Sequence, residues 1–250
     1  MPGLTQPRVP ASTAAPPSAA SQLSMSLRLQ HERLLEDVLA GRGLRGHLLR
    51  LTALMTLASA AYGAVLGLWH GPLLASYVAV KLPLVMITTA SVTLLLSYVL
   101  AHLLGLPLRL GQVAVLIVLG LSSASVLLAS LAPVAWLFTL AAPLPSTDAR
   151  AAHNWLYLMH TAFVAGSGLA GSLTLLRGLR ATRRPRDVVA RVYLSWVLAY
   201  AFVGGEVAWA LRPFVGSVYF PVVFLRDDAL SGNVYEFIVT DILPYLLSPY

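Results

Sequence analysis

Five long apolar runs, each near or above the roughly 20 residues that a helix needs to cross bilayer hydrocarbon, recur between Leu48 and Phe214 with short polar interruptions. Inside hydrocarbon the backbone finds no water, so its N–H and C=O groups must be satisfied within the chain, and a helix does this within one segment. The expected fold class is all-α: an integral membrane bundle of five transmembrane helices, with spans at 48–70, 76–104, 111–141, 152–176 and 189–212. Composition points the same way. The chain is 58% hydrophobic and 11% charged, where soluble domains carry roughly 25% charged residues. Pro133 in the third span and Pro83 in the second are expected to kink their helices, because proline removes a backbone donor and crowds the preceding turn.

The flanks divide by composition. Residues 1–23 form a Pro/Ala/Ser-rich tail with no hydrophobic h-region, expected to be disordered and not a signal peptide. In 24–47, Leu27, Leu34, Leu35 and Val38 recur at helical spacing with Arg28, His31, Glu32 and Asp37 on other faces, and Gly41, Gly43 and Gly46 follow as a hinge. This predicts an amphipathic helix that either rests on the bilayer or caps the bundle. Residues 213–250 combine many aromatics with Asp227, Asp228, Glu236 and Asp241, and read as an interfacial cap with one short helix near 233–247.

The net charge of +7 comes from sixteen Arg and one Lys. Because most of these flank apolar spans, they point to lipid headgroups and topology, and no nucleic-acid partner is expected. Arg42, Arg45 and Arg50 flank the start of the first span, Arg109 separates the second and third, and Arg177, Arg180, Arg183, Arg184, Arg186 and Arg191 lie between the fourth span and the start of the fifth. Five spans with a cytoplasmic N-terminus place all three groups on one side and the acidic cap on the other, periplasmic side. The Ala, Leu and Arg bias resembles that of GC-rich bacterial genomes, which makes a bacterial inner membrane the expected location.

The stretch Tyr77–Leu106, with Lys81, Leu82, Pro83 and Leu84 opening a long apolar helix, the Gly105 connection and a new span near Gln112, resembles the Yip1 family of polytopic membrane proteins. The resemblance implies a five-span bundle with a cytoplasmic N-terminal region. Eukaryotic members of that family are associated with vesicle trafficking and small GTPases. After Trp209 this chain departs from the family pattern.

Lys81 and Glu206 lie within predicted spans, where a lone charge is costly enough to require a partner or water. Measured from the expected span ends, their depths agree within a turn, which predicts an ion pair or a shared polar cavity. His160 sits at similar depth and either joins them in a polar cluster or, the reading favoured here, hydrogen-bonds to a neighbouring helix. Three readings follow for the pair: a buried ion pair that sets helix register, a polar path, or a Lys81 that snorkels to the interface. The six Arg between the last two spans either hold their loop inside or bind anionic headgroups or an acidic protein surface. Gly166, Gly168 and Gly171 spell GxGxxG, but mid-helix, so with Gly63 and Gly67 they are expected to permit close helix packing.

The chain has no cysteine, which excludes disulfides, thiolate metal sites and cysteine nucleophiles. No His pair suits haem, and no HExxH motif, P-loop or nucleophile elbow is present in a credible context. The expected function is a non-enzymatic membrane scaffold without cofactor or metal, engaging lipids and other membrane proteins or copies of itself. The alternative is a small transporter or channel component with a path near Lys81 and Glu206.

Overall fold

The computed structural model describes residues 19–146, 149–216, 221–237 and 239–240. Among them every regular element is helical. The order is α1 (Ala19–Ala40), α2 (Leu44–Gly67, continued by a 3-10 turn at Leu68–His70), α3 (Pro72–Leu103), α4 (Leu110–Ala141), α5 (Arg150–Arg180), α6 (Arg186–Ala210) and α7 (Val234–Phe237). Helices α2 to α6 are long and apolar enough to cross a membrane. The chain is an all-α membrane bundle with an N-terminal helix and a C-terminal cap. The tail at 1–18 lies outside the described residues.

Helix ends follow local chemistry. Gly71, at φ 117°, separates the 3-10 turn from α3, and Pro72 opens α3 four residues before the expected start, because a proline at the first helical position forfeits no hydrogen bond. Helix α5 runs on past 176 to Arg180, with Arg177 and Arg180 in its last turn, where cations complement the helix dipole. Helices α3 and α4 run uninterrupted through Pro83 and Pro133; neither proline ends its helix.

Helix α4 is the core of the bundle. Its apolar stretch is 61% buried, against 17% for α6, because it packs on α2, α3 and α5 while α6 closes the other side against α3 and α5. Large residues such as Leu57, Leu95 and Leu137 point outward, as lipid permits. Small and polar residues select the inward faces instead: Thr89, Thr93, Ser97 and Ala101 recur every four residues along the buried face of α3.

Two glycine contacts set the α2–α3 approach. A Cβ on Gly63 would stand 2.5 Å from Val78 O, and one on Gly67 would stand 2.7 Å from Leu74 O. Both are backbone contacts, and they share one antiparallel register. A third contact joins α4 and α5, where a Cβ on Gly171 would meet Gly120 O at 2.5 Å. Gly166 and Gly168 do not pack: nothing lies within 4 Å of an added Cβ at either. The expected packing face of α5 is therefore narrower than its glycine motif and is completed by Gly120.

Of the two placements open to the N-terminal helix, the structure adopts the bundle cap. Leu35 and Val38 are buried in the same cluster as Leu116 and Leu179. Gln112, in the first turn of α4, donates from Nε2 to the carbonyls of Val38 (3.0 Å) and Leu39 (2.9 Å), satisfying two acceptors that a helix end leaves open. Its Oε1 accepts the Arg109 N–H at 2.8 Å. Arg42 grips Asp37 beside the glycine hinge through two bonds of 2.9 and 2.7 Å. His31 is partly enclosed, and its own burial, followed by the charge of Arg177, holds its imidazole below the ordinary 6.5.

Two outcomes are expected. Gly63→Ala should lower thermal stability in mild detergent by about 1–3 kcal/mol, because the opposing atoms are backbone and cannot turn away, whereas Gly166→Ala should be neutral or slightly stabilising; equal losses would contradict the packing described. For His31 the folded value lies below the unfolded one, so its contribution to α1 docking is complete above pH 6.5 and is lost as pH falls through the folded value. Hydrogen exchange in 29–40, corrected for intrinsic rate, should rise between about pH 7.5 and about pH 5.5, and His31→Gln should flatten that rise.

Candidate functional site

Lys81 stands on α3, fully buried. Its Nζ donates to the carbonyl oxygen of Pro213 at 2.9 Å and faces the rings of Phe214 and Phe224 at 5.8 and 5.4 Å. An ammonium withdrawn from water needs negative potential around it, and here a carbonyl dipole and two ring faces supply it. From α5, His153 Nε2 donates to the carbonyl of Gly216 at 2.9 Å. Side chains from two helices thus clasp the segment Pro213–Gly216, drawing the chain that leaves α6 across the end of the bundle. Val215 is buried there with Leu74, Val78 and Leu156, and Phe214 packs against them.

The expected Lys81–Glu206 ion pair is not formed. Two contacts give the α3–α6 register: Trp196 Nε1 donates to Ser97 O at 2.9 Å, and a Cβ on Gly204 would meet Thr89 Oγ1 at 3.6 Å. In that antiparallel register Glu206 lies level with Ile87 and Lys81 level with Arg212, an axial separation of about 9 Å at 1.5 Å per residue. The depths differ because the two helices do not end level: in this register Ala210, the last residue of α6, stands opposite Pro83 while α3 runs on to Pro72, so Lys81 lies nearer the cap than Glu206 does. His160 takes the favoured of its two expected placements and bonds a neighbouring helix: its Nδ1 shares a 2.7 Å hydrogen bond with Tyr62 Oη of α2, both residues buried.

Glu206 has different neighbours. Its Oε1 is buried without a hydrogen-bond partner, and it lies near Tyr235 of α7, whose phenol pKa is pushed up by burial and then by the Glu206 charge. A separate polar seam runs along α3, where Thr89 Oγ1 and Ser97 Oγ also lack a partner. Tyr200 Oη lies close to Thr93 and Ser97 without the geometry of a hydrogen bond to either. Trp196, fully buried, closes the end of this seam near Ser97.

Beyond the clasp, the cap is held by charge and rings. Arg212 stacks on Trp209 at 3.9 Å and donates to the Asp228 carbonyl at 3.2 Å. Arg226 makes bonds of 2.8 and 3.0 Å to the Asp228 carboxylate, and these hold that carboxyl below the usual carboxylate range. Tyr235 Oη donates between the carbonyls of Ala201 (2.9 Å) and Phe202 (3.1 Å), pinning α7 to α6. The expected helix near 233–247 is observed over Val234–Phe237, and 241–250 lie outside the described residues. A cavity of about 320 Å³ opens between cap and bundle, lined in part by His70, Pro213, Gly216, Arg226, Asp227 and Asp228.

The basic cluster lies at the other end of the bundle. Arg191 pairs with Asp187 at 3.1 Å, while Arg177 lies near His31. Arg180, Arg183, Arg184 and Arg186 surround a hollow of about 650 Å³ at the α5–α6 turn. Among the described residues, no three His, Asp or Glu side chains converge as metal ligands would. No family model, curated protein or solved structure matches the chain.

The clasp predicts opposite behaviour for the two buried charged residues. Lys81→Met should strand the Pro213 carbonyl, lowering stability by about 1–3 kcal/mol and speeding limited proteolysis in 221–233. Glu206→Gln should leave cleavage of that segment at the wild-type rate. Cap protection that depended on Glu206 and not on Lys81 would reject the assignment.

Proposed function

We propose that the chain is a non-enzymatic scaffold of a bacterial inner membrane, with α1 and the α5–α6 turn cytoplasmic and the clasped cap periplasmic. The orientation rests on the Arg distribution. The observation that carries the scaffold reading is the use of Lys81 as an anchor: the buried cation holds the cap to the bundle instead of lining a path through it. A surface built this way keeps its shape, and its exposed apolar side chains Leu225 and Leu230 suit contact with another protein better than contact with water. The Yip1 resemblance supports the span count and the cytoplasmic N-terminus, and no trafficking role is taken from it.

The absence of cysteine makes single-cysteine probes clean. A photocrosslinker attached at Leu230→Cys in native membranes should capture one protein in near-stoichiometric yield, while the same probe at Leu95→Cys, on the lipid-facing side of α3, should not. Recovery of uncrosslinked chain from both positions would sink the scaffold reading.

The unsatisfied hydroxyls of Thr89 and Ser97 and the unsatisfied Glu206 carboxylate oxygen favour a second reading, a small transporter or channel component. That reading expects reconstituted vesicles to pass protons or small cations in a manner lost in Glu206→Gln, and equal flux through the two proteins would exclude this route.

A further inference from the structure

The hollow at the α5–α6 turn has features that topology alone does not require. Four guanidinium groups, those of Arg180, Arg183, Arg184 and Arg186, border one space of about 650 Å³, and none of them is ion-paired to a carboxylate among the described residues. The nearest carboxylate in sequence, Asp187, is turned to Arg191. Four exposed cations around one hollow set up a positive potential that attracts an anion into it. Each of the four is Arg, whose planar fork grips phosphate oxygens in pairs.

The backbone adds to this. Arg183 has φ 56°, a left-handed conformation that costs a non-glycine residue energy and turns the chain sharply between the two helices. The 25-residue helix α6 then starts at Arg186 behind Pro185, with no side chain capping its first-turn N–H groups, so the positive end of its dipole abuts the same turn. The remaining walls, Leu176, Val189 and Ala190, are apolar and belong to membrane-length helices.

We infer that this hollow binds the phosphate headgroup of an anionic phospholipid, with the start of its acyl chains along Leu176 and Val189. The mixed lining decides the source of the phosphate. A free phosphate ion has no use for an apolar wall, and a nucleotide would find no aromatic side chain in the lining on which to stack its base. The inference stands on different residues from the scaffold reading and does not depend on it.

The test is native mass spectrometry of the full-length chain released from micelles doped with phosphatidylglycerol or phosphatidylcholine, with and without millimolar inorganic phosphate. The wild type should retain one phosphatidylglycerol in preference to phosphatidylcholine, and inorganic phosphate should not displace it. Replacing Arg180, Arg183, Arg184 and Arg186 together by Gln risks inverting the topology, so the deciding variant carries Lys at all four positions. That variant preserves charge and insertion but should retain the lipid about tenfold less well, for loss of the bidentate bonds. Equal retention of both lipids, equal retention by the Lys variant, or displacement by inorganic phosphate would each overturn the assignment.

Discussion

A polypeptide in hydrocarbon has no water to bond its backbone, and the organisation of this chain follows from that requirement. It forces five helices, and it also governs the places where helices stop. Gln112 bonds two carbonyls at the end of α1, and Lys81 and His153 answer the carbonyls of Pro213 and Gly216 just past α6; within α6, Tyr235 adds a donor to those of Ala201 and Phe202. In each case a side chain from one element bonds the backbone of another. These bonds join the cap and the N-terminal helix to the five-helix core.

The same requirement explains how a full charge sits inside the bundle. A carboxylate partner would bring its own desolvation cost, whereas a carbonyl is already present and has lone pairs to offer. Lys81 uses one carbonyl and two ring faces, and in doing so ties α3 to a segment 132 residues later in sequence. Its role is topological. Glu206, by contrast, keeps an unsatisfied oxygen near Tyr235 of α7, so the two ionisable residues of the spans have separate neighbours.

Much of the architecture was legible because it depends on local composition. Span number, approximate span limits and the helical character of 24–40 follow from apolar length and 3.6-residue periodicity, which require no knowledge of neighbours. Gly63 and Gly67 were legible as packing positions because a four-residue spacing puts them on one face of a helix. Gly166 and Gly168 carried the same signal yet face open space, since a small residue permits close approach without compelling it. The site was less legible. Carbonyl acceptors occur at every residue, so nothing in the sequence marked Pro213 as the partner of Lys81, or Gly216 as the partner of His153. Tyr62 and His160 meet across 98 residues, and no local pattern signals that meeting.

By itself the sequence determined that this chain is a bundle of membrane-length helices with a basic end and an acidic, aromatic end, because hydrophobic length and charge are properties that each segment carries alone. The tertiary structure decided which polar groups meet. The ends of α3 and α6 do not lie level, so depth counted from each end misplaces Lys81 against Glu206 by about 9 Å, and hydrogen bonds tolerate only a few tenths of an ångström. Depth estimated from composition therefore could not select between Glu206 and Pro213, and the helix register did.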